Sequence, residues 1–206
     1  RQDQGGFNPD LSHVVLDWID KNEQVEMGGA EDMEYLNLER PHRAANQAMV
    51  SISELRALNN VIAEEYNCYV GDGQNPPLVN AIKDQDVAIN VNTVPPDVLQ
   101  SIHPQIDDSI LSALIEGRGE EGYENKEAFV RKLRDELFPS GENSQERQNE
   151  LREFNETIEK IHLSPGSKYF EVTATAQIGR MQVTLISLLK RDGNKISTIQ
   201  RSIGVY

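Results

Sequence analysis

The hydrophobic period of this chain changes once, at Pro165-Gly166. Before that point apolar residues recur every three or four positions, and after it they recur every second position. Helices followed by a run of strands read as an α+β fold: a long helical, loop-rich part and a short all-strand tail.

In the tail, Phe170, Val172, Ala174 and Ala176 alternate with Glu171, Thr173 and Thr175. Gly179-Arg180 marks a turn. Met181, Val183, Leu185, Ser187 and Leu189 carry a second strand, Asp192-Gly193 is a hairpin signal, and 196–203 forms a third. Three antiparallel strands need an apolar partner. The expected partner is a segment upstream of the chain or its first helix.

That first helix is predicted from Leu11, Val14, Val15, Trp18 and Ile19, with Asp10 as N-cap and an end near Lys21. The stretch 22–46 is aperiodic, broken by Gly28-Gly29 and Pro41. Ser51 and Glu54 form a capping box ahead of Leu55 and Leu58. A short helix follows over 61–69, and then a loop marked by Gly71-Asp72-Gly73 and Pro76-Pro77. Thr93 is the expected cap of a helix through Val98, Leu99 and Ile102. Asp107 caps the next, with Ile110, Leu111, Leu114 and Ile115 inward and Gly117 and Gly119 at its end. Asn125 caps another, carrying Phe129, Val130, Leu133 and Leu137. Segment 139–148 reads as a polar loop, before a last helix with Leu151, Phe154, Ile158 and Ile161 inward.

Charge excludes two classes of partner. With 34 Asp+Glu against 20 Lys+Arg the chain carries a net −14. A nucleic-acid binder or a protein docking on anionic lipid needs a basic face instead. No apolar run approaches the roughly 18 to 20 residues of a membrane span, and no signal peptide is visible. The chain opens with Arg1, which reads as a processed product or a trimmed piece. Cys68 is the single cysteine, so there is no internal disulfide framework, and it is expected as a small buried apolar residue.

The charge is concentrated. Between positions 17 and 39 lie eight acids and one base, Lys21. Asp20, Asn22 and Gln24 place oxygen side chains at alternating positions, as at the start of a calcium loop, where a hard cation takes six to eight oxygens. The register is not that of an EF-hand. Glu31 and Asp32 follow the Gly28-Gly29 turn and are placed to close such a shell. The spacing leaves two alternatives open: a cation loop or a solvated acidic loop.

The run Ile89-Asn90-Val91-Asn92-Thr93, followed by two helices, resembles helix-hairpin-helix units of DNA-uptake receptors. In those units a glycine hairpin offers backbone N–H groups to phosphate. Here the hairpin reads His103-Pro104-Gln105-Ile106-Asp107-Asp108, without the glycines and with two carboxylates where phosphate would lie. The unit is therefore read as structural, with Asn90, Asn92 and Thr93 bonding backbone groups. A nucleic-acid-binding module of this class is the alternative function. No nucleophile elbow, phosphate loop, dinucleotide fingerprint or zinc-protease motif is present, and the four histidines show no ligand spacing. The chain reads as a non-enzyme.

The segments LDWIDKNEQ, GGAEDMEYLNLERPHRAANQ, SISELRALNN, INVNTVPPDVLQSI and ALIEGRGEEGYENKEAFV, closed by SKYFEVTATAQIGRMQVTLISLLKRD, occur in that order. Together they resemble the K-type minor pseudopilins of the bacterial type II secretion system, over nearly all of the chain. The resemblance implies a pilin-like antiparallel sheet with a large inserted helical domain containing SAM-like or helix-hairpin-helix-like units. On that pattern 1–10 belongs to the pilin-like region or a linker. The inserted domain is 11–163, with a metal loop at 20–46 and helical units at 51–70 and 89–137, and 164–206 holds the C-terminal strands.

It also implies a single-pass anchor in the inner membrane, through an N-terminal helix that is cleaved, methylated and absent from this chain, with this part in the periplasm. Implied partners are the I-type and J-type minor pseudopilins at the pseudopilus tip, secreted substrates and the outer-membrane secretin. Calcium is the implied cofactor, on Asp20, Asn22, Gln24, Glu31 and Asp32, with Asn46 as an outlying ligand.

Overall fold

A computed structural model of the chain describes residues 9–71, 75–84, 87–139 and 144–205. The pieces of the expected N-terminal segment at 1–8, the loop residues Asp72 and Gly73, and 140–143 lie outside the described residues. The chain divides into two compact units, Arg1–Gln85 and Asp86–Tyr206.

The first unit is built around α1 (Pro9–Ile19). Leu11, Val14 and Trp18 form one buried stripe at helical spacing, and they pack with Ala30, Tyr35, Ala44, Leu55, Leu58 and Tyr69. Trp18 and Tyr35 meet edge to face with ring centroids 5.2 Å apart, and His42 lies 5.0 Å from Tyr35. The apolar face of α1 is thus spent on the core of its own unit. Asp10 lies inside the helix, one residue after Pro9, so it is not the N-cap. The aperiodic stretch holds only one short helix, α2 (Asp32–Leu36).

The capping box is present as read. Ser51 Oγ accepts from Ser53 N, and the Glu54 carboxylate accepts the backbone N–H groups of Val50 and Ser51 at the start of a 3-10 helix, Ile52–Ala57. Helix α3 (Ala63–Val70) buries Tyr69 and leaves Cys68 exposed, which corrects the expectation of a buried thiol.

The second unit begins with a two-residue strand, β1 (Ile89–Asn90), paired in parallel with β2 (Leu163–Ser164). Between them run α4 (Pro96–Gln100), α5 (Asp108–Arg118), α6 (Lys126–Leu137) and α7 (Gln145–Lys160). Their core comprises Val91, Leu99, Ile102, Ile106, Leu114, Tyr123, Phe129, Leu133, Phe154, Ile158 and Leu163. Asp107 and Asn125 cap α5 and α6 through Ile110 N and Ala128 N, as their sequence positions predict.

Three expectations change here. Thr93 does not cap α4: the Asn90 carbonyl accepts both Thr93 N and Val94 N, closing a turn, and the helix starts only after Pro95. Ile115 is 37% exposed, because the core is reached by Leu114 at the centre of the α5 face. Helix α7 begins at Gln145, capped by Ser144 Oγ, so the polar segment is shorter than expected and its last residues are helical.

The tail forms the expected antiparallel sheet, in the order β3 (Tyr169–Ile178), β4 (Met181–Asp192), β5 (Lys195–Val205), with a bulge at Leu188/Leu189. Register places Phe170 opposite Leu189, Val172 opposite Ser187 and Ala174 opposite Leu185, with Ile203 beyond Leu185. One face is therefore apolar, yet Phe170, Val172, Val183 and Ile203 are exposed.

Candidate metal centre

The acidic loop is organised by its backbone before its charges. Asp20 Oδ1 accepts from Asn22 N at 3.0 Å, and its Oδ2 accepts from Asn22 Nδ2 at 2.7 Å. Asn22 Oδ1 then accepts from Gln24 N at 2.7 Å. The alternating oxygens seen in the sequence form two successive side-chain-to-backbone turns at the exposed end of the loop. A reversal at Gly28, with φ +83°, carries the chain back towards α1.

Glu31 stands just before α2 and is 3% exposed. Its own N–H donates to Glu34 Oε2 at 3.0 Å. Among the described residues, neither Oε1 nor Oε2 of Glu31 has a hydrogen-bond partner, and neither does the buried Oδ1 of Asn46. Asn46 is held in the left-handed region at φ 48°, and its N–H donates to the Trp18 carbonyl at 2.9 Å. Buried polar oxygens are normally satisfied, so these three orphaned acceptors require an explanation.

Asp32 is engaged differently. Its Oδ2 pairs with Arg43 and its Oδ1 accepts from Ala44 N at 3.0 Å, tying α2 to the segment that delivers Asn46. Asp17 was not among the candidates read from the sequence. It lies on α1, three residues before Asp20, where the pattern looks like a solvated acidic face, but it is fully buried.

The electrostatics match the geometry. Burial pushes the Glu31 carboxyl up to about 7, helped by the charges of Asp17, Asp20, Asp32 and Glu23. Asp17 is also pushed up, chiefly by burial, against the N–H bonds of Glu26 and Ala30 that favour its ionised form. Among the described residues no Lys, Arg or His pairs with Asp17 or Glu31.

Nor do three His, Cys, Asp or Glu side chains form a ready-made metal group among the described residues. The orphaned donors are all oxygens, two carboxylate and one amide, which is the donor chemistry of a hard cation rather than of zinc. The unpartnered oxygens of Glu31 and Asn46 are of the type such an ion takes. Asp20 lies near enough for its charge to act on the Glu31 carboxyl, while the Asp20 and Asn22 oxygens accept within their own turns. Asp32 acts through its bonds to Arg43 and Ala44.

The second singled-out motif is a latch. Asn92 Nδ2 donates to the carbonyls of Tyr123 and Pro165, at 3.0 and 2.9 Å, and its Oδ1 accepts Tyr123 N at 2.7 Å. Asn90 Nδ2 donates to Ser167 Oγ. Arg118 donates to the carbonyls of Val91 and Val94. These bonds join the α5–α6 turn to the segment entering the sheet. At the would-be phosphate hairpin, Asp107 is occupied in capping α5.

Comparison with known proteins gives one family. A family model described as type II secretion system protein K, first part, matches residues 6–69, and a second, type II secretion system protein K, matches residues 89–147. The type II secretion system protein K of Pseudomonas aeruginosa is 31% identical over 94% of this chain and 51% of its own length. That of Klebsiella pneumoniae is 26% identical over 95% of this chain and 55% of its own. The chain thus spans about half the length of these relatives. Among solved structures, a chain of the GspK-GspI-GspJ complex from enterotoxigenic Escherichia coli matches with a TM-score of 0.69 and 25% identity, over 95% of this chain and 62% of that one.

Proposed function

The chain belongs to the protein K family of the type II secretion system, and from that premise we propose that it is the periplasmic part of a minor pseudopilin at the tip of the secretion pseudopilus. The observation that carries this reading is the likeness, over nearly the whole chain, to a structure solved as GspK with GspI and GspJ. Its partners are then the I-type and J-type minor pseudopilins. Secreted substrates and the outer-membrane secretin lie beyond the tip. The nucleic-acid alternative gains no support from the relatives, and the hairpin that would bind phosphate presents Asp107 and Asp108.

The mechanism is geometric and non-catalytic. The three-stranded sheet is the pilin-like part, and its exposed apolar face is suited to the anchoring helix that the family carries in the inner membrane. No described helix of this chain is long and apolar enough to cross a membrane. The helical bulk at 11–163 forms an inserted domain, whose size blocks addition of a further subunit above it. A subunit that accepts neighbours only from below initiates or caps assembly.

Calcium belongs to the same proposal. Glu31 and Asn46 would hold it through their orphaned oxygens, with Asp20, Asn22 and Gln24 as the further candidate ligands and Asp32 bracing the far segment. When bound, the cation neutralises clustered carboxylates and orders an aperiodic loop. Co-expression and co-purification with I-type and J-type pseudopilins tests the functional reading. A stable ternary complex is expected, and failure of this chain to join an I–J pair overturns it.

A further inference from the structure

We infer that Asp17 is the positioning residue of the cation site: its buried carboxylate holds the 26–30 turn against α1 so that Glu31 is delivered with both oxygens unspent. The inference rests on the calcium reading above. Asp17 Oδ2 and Oδ1 accept from Glu26 N at 3.2 and 3.4 Å, and Ala30 N–H also bonds to this carboxylate. The turn closes on itself through Gly29 N donating to the Glu26 carbonyl at 2.9 Å.

The fit is close enough to exclude a side chain. A Cβ on Gly29 would lie 2.0 Å from Asp17 Oδ2 and 2.8 Å from its Cγ. Glycine is required there by the approach of a carboxylate, and not by its backbone angles. Ala30, the next residue, is fully buried, and Glu31 follows it directly. The position of the unpartnered Glu31 oxygens is therefore set, one residue away, by the grip of Asp17 on the turn.

The charge makes this more than scaffolding. A neutral acceptor such as asparagine could take the same two N–H bonds. A carboxylate beside Glu31 raises the cost of the metal-free loop and increases the gain from a cation, because a buried ion left unpaired is expensive. A positioning residue of this kind weakens metal binding when altered without dismantling the fold.

The test compares the wild-type chain, Asp17→Asn and Gly29→Ala by calorimetric calcium titration and by thermal melting of metal-depleted and calcium-loaded protein. For Asp17→Asn, calcium binding should weaken about 10- to 100-fold, while the metal-depleted melting temperature stays level or rises as a buried like charge is removed. Gly29→Ala should weaken calcium binding by displacing the carboxylate, which gives an independent arm if Asp17→Asn fails to fold. Wild-type affinity in both variants overturns the inference. So does an Asp17→Asn variant whose metal-depleted and loaded forms melt lower by the same amount. If the wild-type chain binds no calcium, the calcium reading falls and this inference with it, a result distinct from unchanged affinity in the variants.

Discussion

The Trp18 indole Nε1 donates to Glu54 Oε2 at 3.3 Å, across 36 positions of sequence. The other oxygen of that carboxylate accepts Val50 N at 2.7 Å and Ser51 N at 3.1 Å. One side chain therefore caps the 3-10 helix and fastens it to α1, the helix that also carries Asp17.

Glu54→Ala should therefore destabilise the first unit by about 2 kcal/mol, since it strands a part-buried indole N–H and removes a cap. Glu54→Gln keeps an acceptor oxygen and should lose less. Urea unfolding followed by Trp18 fluorescence checks this, as the chain has one tryptophan.

Calcium should raise the melting temperature of the wild-type chain. A ligand that binds only the native state adds about 2.7 kcal/mol at a concentration of 100 Kd. Glu31→Gln removes a charge from the loop and should abolish most of that gain. Melting curves in chelator and in millimolar calcium decide it, and identical curves for the wild-type chain would count against the site.

The pH dependence has a definite sign. Glu31 carries a folded-state value of about 7 against an ordinary 4.5, so the folded chain holds a proton that the unfolded chain has released. Stability of metal-depleted protein should fall as pH rises from about 4.5 to about 7 and then level off. The loss is on the order of 3 kcal/mol, and Asp17 adds to it in the same direction. Calcium favours the ionised carboxylates, so loaded protein should not show this fall. Melting at pH 4.5 and 7.5, with and without calcium, gives both arms.

Asn92→Ala should destabilise the second unit by about 2 to 4 kcal/mol, because Tyr123 N, the Tyr123 carbonyl and the Pro165 carbonyl all lose their partner. Gly122→Ala should act in the same direction. Gly122 sits at φ +76°, and a Cβ there would meet the Asn92 side chain at 2.7 Å. Hydrogen exchange should show the entry to the sheet, near Ser167, loosening in both variants.

The helix caps were legible because they are local: Ser51, Asp107 and Asn125 each bond two or three residues ahead, within the reach of any sequence pattern. Asp10 and Thr93 failed for equally local reasons that involve proline. Pro9 already lies within α1, and the turn closed by the Asn90 carbonyl postpones α4 until after Pro95. Cys68 was misjudged because α3 has one buried position at that end, and Tyr69 occupies it. The acidic loop was legible as a concentration of charge. Asp17 was not, since nothing in its neighbourhood separates it from an acid on a solvated helix face.

The sequence by itself determined the change of period at Pro165-Gly166, the strands and their turns, and the segment where acids gather, because these follow from backbone period, capping and composition over a few residues. Only the tertiary structure decided which oxygens of that segment are left unsatisfied. Burial of Glu31, the contact of Asp17 with Gly29 and the approach of Asn46 to Trp18 join residues 12 to 28 positions apart. Whether an acid is solvated or stranded depends on which distant backbone closes over it.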